Sequence, residues 1–328
     1  MAGPSTPREA SPAQAARAIQ IAEGIWQFAH WLAPEVPVHV HLVRGDYAVL
    51  IDSGVACTFP LIEQAFFQSG LVTPEEVKLV CNTHGHHDHI GANAQLKRAT
   101  GALVAAPRGA VPWIEDHRRH LREFLFHHPE LIPDTPALRE EIAATMDAPV
   151  RVDLAIDEGF VVNLGHGIQL EAISLPGHVG AELGYFERSS RTLVLGDAVA
   201  RADMPFFQGH VLPAQYRATL AKLHTLARTL PIQQVAPAHY PRMDAPSFLS
   251  LLSRTVRHLD DVDALVVAQV QGASGPVSLE SVWRGVCAAA GKQPEFRSLA
   301  MVEAHLRELM ERGQIARPAP DQYVWVAG

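Results

Sequence analysis

Apolar and polar positions alternate through much of the first half of the chain. The runs Val38-His39-Val40-His41-Leu42-Val43 and Tyr47-Ala48-Val49-Leu50-Ile51-Asp52 flank a polar turn, Arg44-Gly45-Asp46. Alternation on both sides of a short polar turn predicts a β-hairpin within Val36 to Asp52. Ile19 to Phe28 reads as a further extended segment. Pro60 to Ser69 reads as a helix stopped by Gly70, and Asn93 to Thr100 as a helix closed by Gly101. Val77 to Asn82 and Leu103 to Ala106 are short apolar runs of strand type.

The pattern changes at Pro107. From there to Ala148 the chain is charged and helical in period, with Trp113, Ile114, His117, Leu121, Phe124 and Leu125 on one face. Pro129, Pro133 and Pro136 divide it, and a helical insertion over about residues 107–148 is expected. Strand patterns return at Phe160 to Val162, Ile168 to Ile173, Leu183 to Phe186 and Thr192 to Leu195. Gln215 to Thr229 is an amphipathic helix, Ile232 to Val235 a last strand, and Ser247 to His258 helical. Asp260-Asp261-Val262-Asp263 reads as a polar break that begins a linker or caps a helix. Beyond Gly272, Ser278 to Ala290 and Ser298 to Arg312 are helical, and two short strands follow, at Gln314 to Arg317 and Gln322 to Val326. Helices followed by a small hairpin are the pattern of a winged-helix module. The expected organisation is a mobile tail over 1–18, a main domain over 19–262 and a winged-helix-like domain over 270–328.

Composition narrows the class. Hydrophobic residues make up 48% and charged residues 19% of the 328, which fits a globular chain with a core. The net charge of -8 argues against broad binding to nucleic acid, which needs a basic footprint. Cys57, Cys81 and Cys287 are too few for a disulfide framework and suit a reducing cytoplasm. No run approaches the ~18–20 apolar residues of a membrane span. The N-terminus lacks the basic-then-apolar order of a secretory signal. A cytoplasmic chain without a membrane anchor is expected.

The chemistry concentrates after the strand Val77 to Asn82, where His84-Gly85-His86-His87-Asp88-His89 packs four histidines and one aspartate into six residues. Imidazole and carboxylate together are a ligand set for zinc, iron or manganese. On an extended loop His84 and His86 point to one side and can share a metal, while Asp88 and His89 turn toward a second. A solvated histidine-rich loop, or histidines capping the next helix, is the plainer reading. Three further strand ends weaken it: Leu175-Pro176-Gly177-His178, Leu195-Gly196-Asp197 and Ala236-Pro237-Ala238-His239. Each repeats strand, small residue, ligand.

The ordered set, with Asp52 closing its hairpin strand, resembles the metallo-β-lactamase superfamily over about residues 19 to 258. The resemblance implies an αββα sandwich of mixed α/β class with metals at one edge. It implies that His84, His86 and His178 hold a first metal, that Asp88, His89 and His239 hold a second, that Asp197 bridges them, and that Asp52 orients a ligand. His87 takes the variable position and is the histidine left over. An aspartate rather than a cysteine at the bridging position resembles the glyoxalase-II, lactonase and nuclease branches and departs from the true β-lactamases.

Two zinc ions per chain, with iron or manganese as alternatives, can generate a bridging hydroxide and stabilise an oxyanion. Asp88 can accept or return a proton. The expected reaction is hydrolysis of a thioester, lactone or related carboxylic ester, with Trp113, Phe124, Phe126, Met204, Phe206 and Phe207 as candidates for an apolar substrate wall. A layout with a C-terminal winged-helix-like module is similar to a branch holding both thioesterase-like and ribonuclease members, so a metal-dependent endoribonuclease is an alternative. A mononuclear iron enzyme of the persulfide-dioxygenase kind is another. The basic and tyrosine cluster that binds glutathione in glyoxalase II has no counterpart after His239. For the C-terminal module, packing on the core or pairing with a second copy of the chain is expected.

Overall fold

A computed structural model describes residues 16–33, 36–204 and 206–326. The tail expected over 1–18 lies outside the described residues up to position 15, and Ala16 already donates its amide to Gln64 Oε1 at 2.9 Å. Among the described residues no helix is long and apolar enough to cross a membrane.

Two sheets pack face to face. The first has seven strands in chain order: β1 (Ile19–Ala22), β2 (Ile25–Ala33), β3 (Val36–Arg44), β4 (Ala48–Ile51), β5 (Val77–Cys81), β6 (Leu103–Pro107) and β7 (Leu154–Ile156). Its first four strands are antiparallel, and β4 to β7 are parallel neighbours. The second has six: β8 (Val161–Asn163), β9 (Gln169–Ser174), β10 (Leu183–Glu187), β11 (Thr192–Leu195), β12 (Gln234–Pro237) and β13 (Met243–Asp244), in the order β13-β12-β11-β10-β9-β8. Parallel pairs need a crossover. The chain supplies them with α1 (Phe59–Ile62) and a π-helical stretch (Glu63–Phe67), then α2 (His87–Ile90) and α3 (Asn93–Thr100). The β6-to-β7 crossover is the insertion: α4 (Val111–Glu115), α5 (His117–His120), a second π-helical stretch (Leu121–Leu125) and α6 (Pro136–Ala143). The crossover from β11 to β12 is α7 (Pro213–Thr229), and α8 (Ala245–Gln271) follows β13.

Alternation decides the layering, because neighbouring strand residues face opposite ways. On β3 and β4, Val43, Val49 and Ile51 turn inward and meet Tyr185, Val194 and Ala236 of the other sheet. Val40, Leu42 and Leu50 turn outward and meet Phe66 and Leu96 under the helices. On the far side Leu193, Leu195 and Val235 pack under α7 and α8 through Leu220, Leu223, Phe248 and Leu252. The result is a four-layer αββα sandwich.

Two sequence expectations change. The extended segment Ile19 to Phe28 is two antiparallel strands, β1 and β2, reversed at Gly24, whose φ of 70 suits glycine. The polar break at Asp260 to Asp263 is the unbroken middle of α8. There Asp260 and Asp263 pair with Arg217 of α7 at 2.5 and 2.6 Å while Val262 is buried, so the acidic run is one face of a packed helix. The C-terminal elements pack against the insertion. These are β14 (Val277–Ser278), α9 (Leu279–Ala289), α10 (Phe296–Glu311), β15 (Ile315–Ala319) and β16 (Gln322–Trp325). Trp283, Leu299, Val302 and Leu306 from α9 and α10 share one core with Phe124, Leu125, Ile132 and Ile142 from the insertion. Insertion and module form a joint cap over one edge of the sandwich.

Candidate metal centre

Every ligand-type residue sits just past the end of a strand. Strand β5 ends at Cys81 and delivers His84 and His86 on a loop, then His87, Asp88 and His89 on the short α2. That loop is fixed from below by Asp52, a non-glycine residue at φ 60 at the end of β4. Its carboxylate accepts from the Thr83 amide (2.7 Å) and hydroxyl (2.8 Å) and meets His89 Nδ1 at 2.8 Å. A left-handed backbone on aspartate costs energy and persists where surrounding bonds hold it. His178 follows β9 on a turn where Gly177 has φ 143, and a Cβ there would come within 2.5 Å of Tyr216. Asp197 follows β11 behind Gly196, which lets the turn approach the Thr83 side chain. His239 follows β12.

The tautomers follow from the partners. A carbonyl can only accept, so Nδ1 of His178 donates to Gly209 O (2.5 Å) and Nδ1 of His239 donates to Pro37 O (2.7 Å). Their Nε2 atoms then face inward, 3.3 and 3.2 Å from the Asp197 carboxylate. His89 turns Nε2 the same way, 3.3 Å from Asp197. His86 presents Nδ1, 3.0 Å from His178 Nε2. Holding the far nitrogen so that the near one converges is how proteins orient metal-binding imidazoles. The loop carrying Gly209 is braced in turn: His210 Nε2 meets His305 Nε2 of α10 at 2.7 Å, and His305 Nδ1 meets Asp263 at 2.6 Å.

Two groups of donor atoms result. Those of His84, His86, His178 and Asp197 lie within 4.8 Å of one another, and so do those of Asp88, His89 and His239. Nε2 of His84 and His89 and Oδ1 of Asp197 are buried without a hydrogen-bond partner. Buried polar atoms are normally satisfied, so this cluster of orphans fits a cation. The charges agree. Burial opposes ionisation of Asp197 and Asp88, yet the neighbouring His239 and His89 hold both carboxyls well below the usual range. Burial also works against a charged His239, but Asp197 and Asp88 push it up to about 10. His84 and His86 go the other way, driven well below the usual value first by burial and then by neighbouring imidazoles. Protons on two imidazoles hold the anionic carboxylates together, and a bound cation would take the place of those protons and release them.

His87 belongs to neither group. It is buried at the cleft, its Nδ1 has no partner, and burial pushes it down to about 4. Asp52 does not reach the cleft; it acts through His89 and Thr83 as a positioning residue.

The groups open into a cleft whose lining is mostly apolar away from the donor atoms, the character of a site for a small organic ligand. Of the candidate wall residues, Phe124, Met204 and Phe206 line it. Trp113 and Phe207 do not. Trp113 packs behind His86, 5.9 Å between rings, with its indole N–H on Glu123 at 2.8 Å. Phe207 is buried in the cap's core and stacks on His258. Phe126 is buried there too, under Arg139. Helical or apolar pattern gave these residues a buried face but not the neighbour it meets. The lining also includes Gln208, which donates to Asp197 Oδ2 at 2.8 Å, and Arg297 from the first turn of α10. The Arg297 guanidinium lies over Phe206 (4.7 Å) and Phe296 (4.4 Å) and bonds Glu295 at 2.7 Å. No local motif marks it; only the fold brings it to the cleft.

Comparison with known proteins agrees with this geometry. The chain is 28% identical over 153 residues to a hydroxyacylglutathione hydrolase of Haemophilus influenzae, covering 45% of this chain and 64% of that one. It is 29% identical over 147 residues to a hydroxyacylglutathione hydrolase of Pseudomonas putida, covering 44% and 41%. The matched stretch thus spans less than two thirds of either relative. The fold is shared with a metallo-beta-lactamase family protein from Thermus thermophilus, at TM-score 0.72 and 18% identity over 94% of this chain and 100% of that one. A beta-lactamase domain protein from Burkholderia ambifaria superposes at TM-score 0.71 and 17% identity over 98% and 97%. Residues 33–239, more than half of the chain, match the model of the metallo-beta-lactamase superfamily, and the chain belongs to that superfamily.

Proposed function

We propose that the protein is a metal-dependent hydrolase of an acyl thioester or related carboxylic ester that bears an anionic group. The observation that carries this reading is the pair of donor groups converging on Asp197 at the floor of a mostly apolar cleft. His84, His86 and His178 would hold one ion, Asp88, His89 and His239 a second, and Asp197 would contact both. Zinc suits a histidine-rich set with carboxylate, and iron or manganese are the alternatives. A divalent pair supplies Lewis acidity toward a carbonyl oxygen and lowers the pKa of water.

The chain's own residues do the rest. Asp88, with its side chain 17% exposed at the cleft, is placed to hold or return a proton. Gln208 fixes Oδ2 of Asp197, while Oδ1 faces His89 and His239. Leu32, Val36, Phe124, Met204, Phe206 and Val211 exclude water around an acyl chain. Arg297 is the one arginine or lysine among the described lining residues and would take the substrate's negative group. The relatives named as hydroxyacylglutathione hydrolases act, by those names, on a thioester, which supports the class. A single lining arginine is too little to track a nucleic-acid backbone, whose binding rests on many phosphate contacts.

The test is a panel of acyl thioesters, lactones, β-lactams and RNA, run on purified protein with parallel metal analysis. Chelator-sensitive turnover of thioesters or lactones is expected. RNA cleavage without ester turnover, or one iron per chain with no hydrolysis, would overturn the reading.

A further inference from the structure

A second cluster of metal-type side chains lies away from the cleft, where the insertion meets α10. His127 and His128 closely follow the π-helical stretch that carries Phe124, and Glu303 is on α10. None of the three lines the cleft. Their donor atoms lie within 4.8 Å of one another. We propose that His127, His128 and Glu303 form a separate site for a zinc-type divalent ion that clamps the insertion to the C-terminal module.

Two observations point to a ligand. First, both ring nitrogens of His127 are buried and have no hydrogen-bond partner. The Phe124 backbone is near enough to favour a proton on the ring, but not in hydrogen-bonding geometry. A half-buried imidazole whose two nitrogens are both sheltered and unsatisfied needs an explanation, and a metal supplies one. Second, His128 is oriented as a metal ligand is. Its Nδ1 meets Glu130 Oε1 at 2.8 Å, and its Nε2 points at Glu303 Oε1, 3.3 Å away. A carboxylate behind the far nitrogen fixes the tautomer and raises the basicity of the near one. Tetrahedral zinc with bonds of about 2.0 Å places its ligand atoms about 3.3 Å apart. The His128–Glu303 spacing is already that, and His127 Nε2 stands 4.0 Å from Glu303 Oε2. Arg307 also approaches Glu303 Oε2 at 4.0 Å, leaving Oε1 as the nearer donor to an ion. A protonated His128 clasped by Glu130 and Glu303 would account for His128 without metal, but it leaves His127 unexplained. Two histidines and one carboxylate make three ligands, and water would complete four.

The position gives the site a consequence. His127 and His128 adjoin the segment that places Phe124 in the cleft, and Glu303 shares its helix with Arg297 and Ala300, which line the opposite part of the cap. An ion there would fix the two lining elements to each other.

The test uses full-length protein stripped by chelator and dialysed against micromolar zinc chloride, with zinc per chain read by plasma mass spectrometry. Wild type is compared with Glu303→Ala and with a His127→Ala/His128→Ala double variant. Each variant is expected to hold one zinc fewer than wild type, however many the cleft holds, so the result is independent of the reading of the cleft. Zinc should also raise the melting temperature of wild type more than that of either variant. Glu303 is partly exposed and mid-helix, so its alanine variant should fold. A Glu303→Ala protein with the same zinc content as wild type would overturn the proposal, whatever the double variant does.

Discussion

The two walls of the cleft are held in different ways. The sandwich wall is pinned by directional bonds: Asp52 on Thr83 and His89, Gly209 on His178, Pro37 on His239. The cap wall is held by apolar packing, with Phe124 and Phe296 seated edge to face and Trp283, Leu299 and Val302 behind them. Hydrogen bonds fix an atom's direction, whereas packing fixes a surface but tolerates rearrangement of its parts. The difference separates two tasks. On the proposed function, the sandwich would set the chemistry and the cap would set what enters.

Substitutions can break this division or sharpen it. The largest effect on metal binding is expected on the sandwich side. Asp52→Ala removes the carboxylate that orients His89 and should weaken metal affinity by about 10–100-fold, read by competition with a chromophoric chelator. Unchanged affinity would show that the loop holds itself.

Next comes the cap's core. Trp283 is 2% exposed and donates to Ser298 at 2.8 Å. Trp283→Ala should cost about 3–5 kcal/mol of cap stability, seen as an early transition in thermal unfolding, while metal content stays at the wild-type level. Loss of metal together with the cap would mean that the two walls are one unit.

A smaller, more selective effect is expected at Arg297. A charge-assisted hydrogen bond contributes about 1.5–3 kcal/mol, so Arg297→Gln should raise KM for anionic thioesters by about 10–100-fold and change kcat little. Neutral thioesters should be almost unaffected; an equal loss on both would reassign Arg297 to packing.

The smallest effect is expected from His87→Ala. It belongs to neither donor group, so metal content should match wild type. Loss of one equivalent would place it among the ligands.

Much of the sandwich was legible because its signals are local. Gly101 closes α3 in the left-handed conformation at φ 69, as its place in the sequence predicts. The strand ends that carry His178, Asp197 and His239 stand out because each repeats strand, small residue, ligand. The cap was less legible because its contacts are long-range. Asp260 and Asp263 look like a break until Arg217 of a different helix pairs with them. Trp113 and Phe207 look like substrate wall because an apolar residue announces burial without naming its partner. Arg297 and Gln208 carry no motif, and only tertiary packing brings them to the cleft. The buried Glu182, pushed well above the usual carboxyl range by burial and by nearby Asp197, is hidden for the same reason.

The central claim is that one carboxylate, Asp197, organises both donor groups, with Oδ2 on Gln208 and His178 and Oδ1 on His89 and His239. The direct measurement is metal content and thioester hydrolysis of Asp197→Asn beside wild type, on the same preparations. The account predicts about two divalent ions per wild-type chain in the cleft, and loss of metal together with loss of hydrolysis in the variant. An Asp197→Asn protein that keeps its metal and its turnover would contradict it.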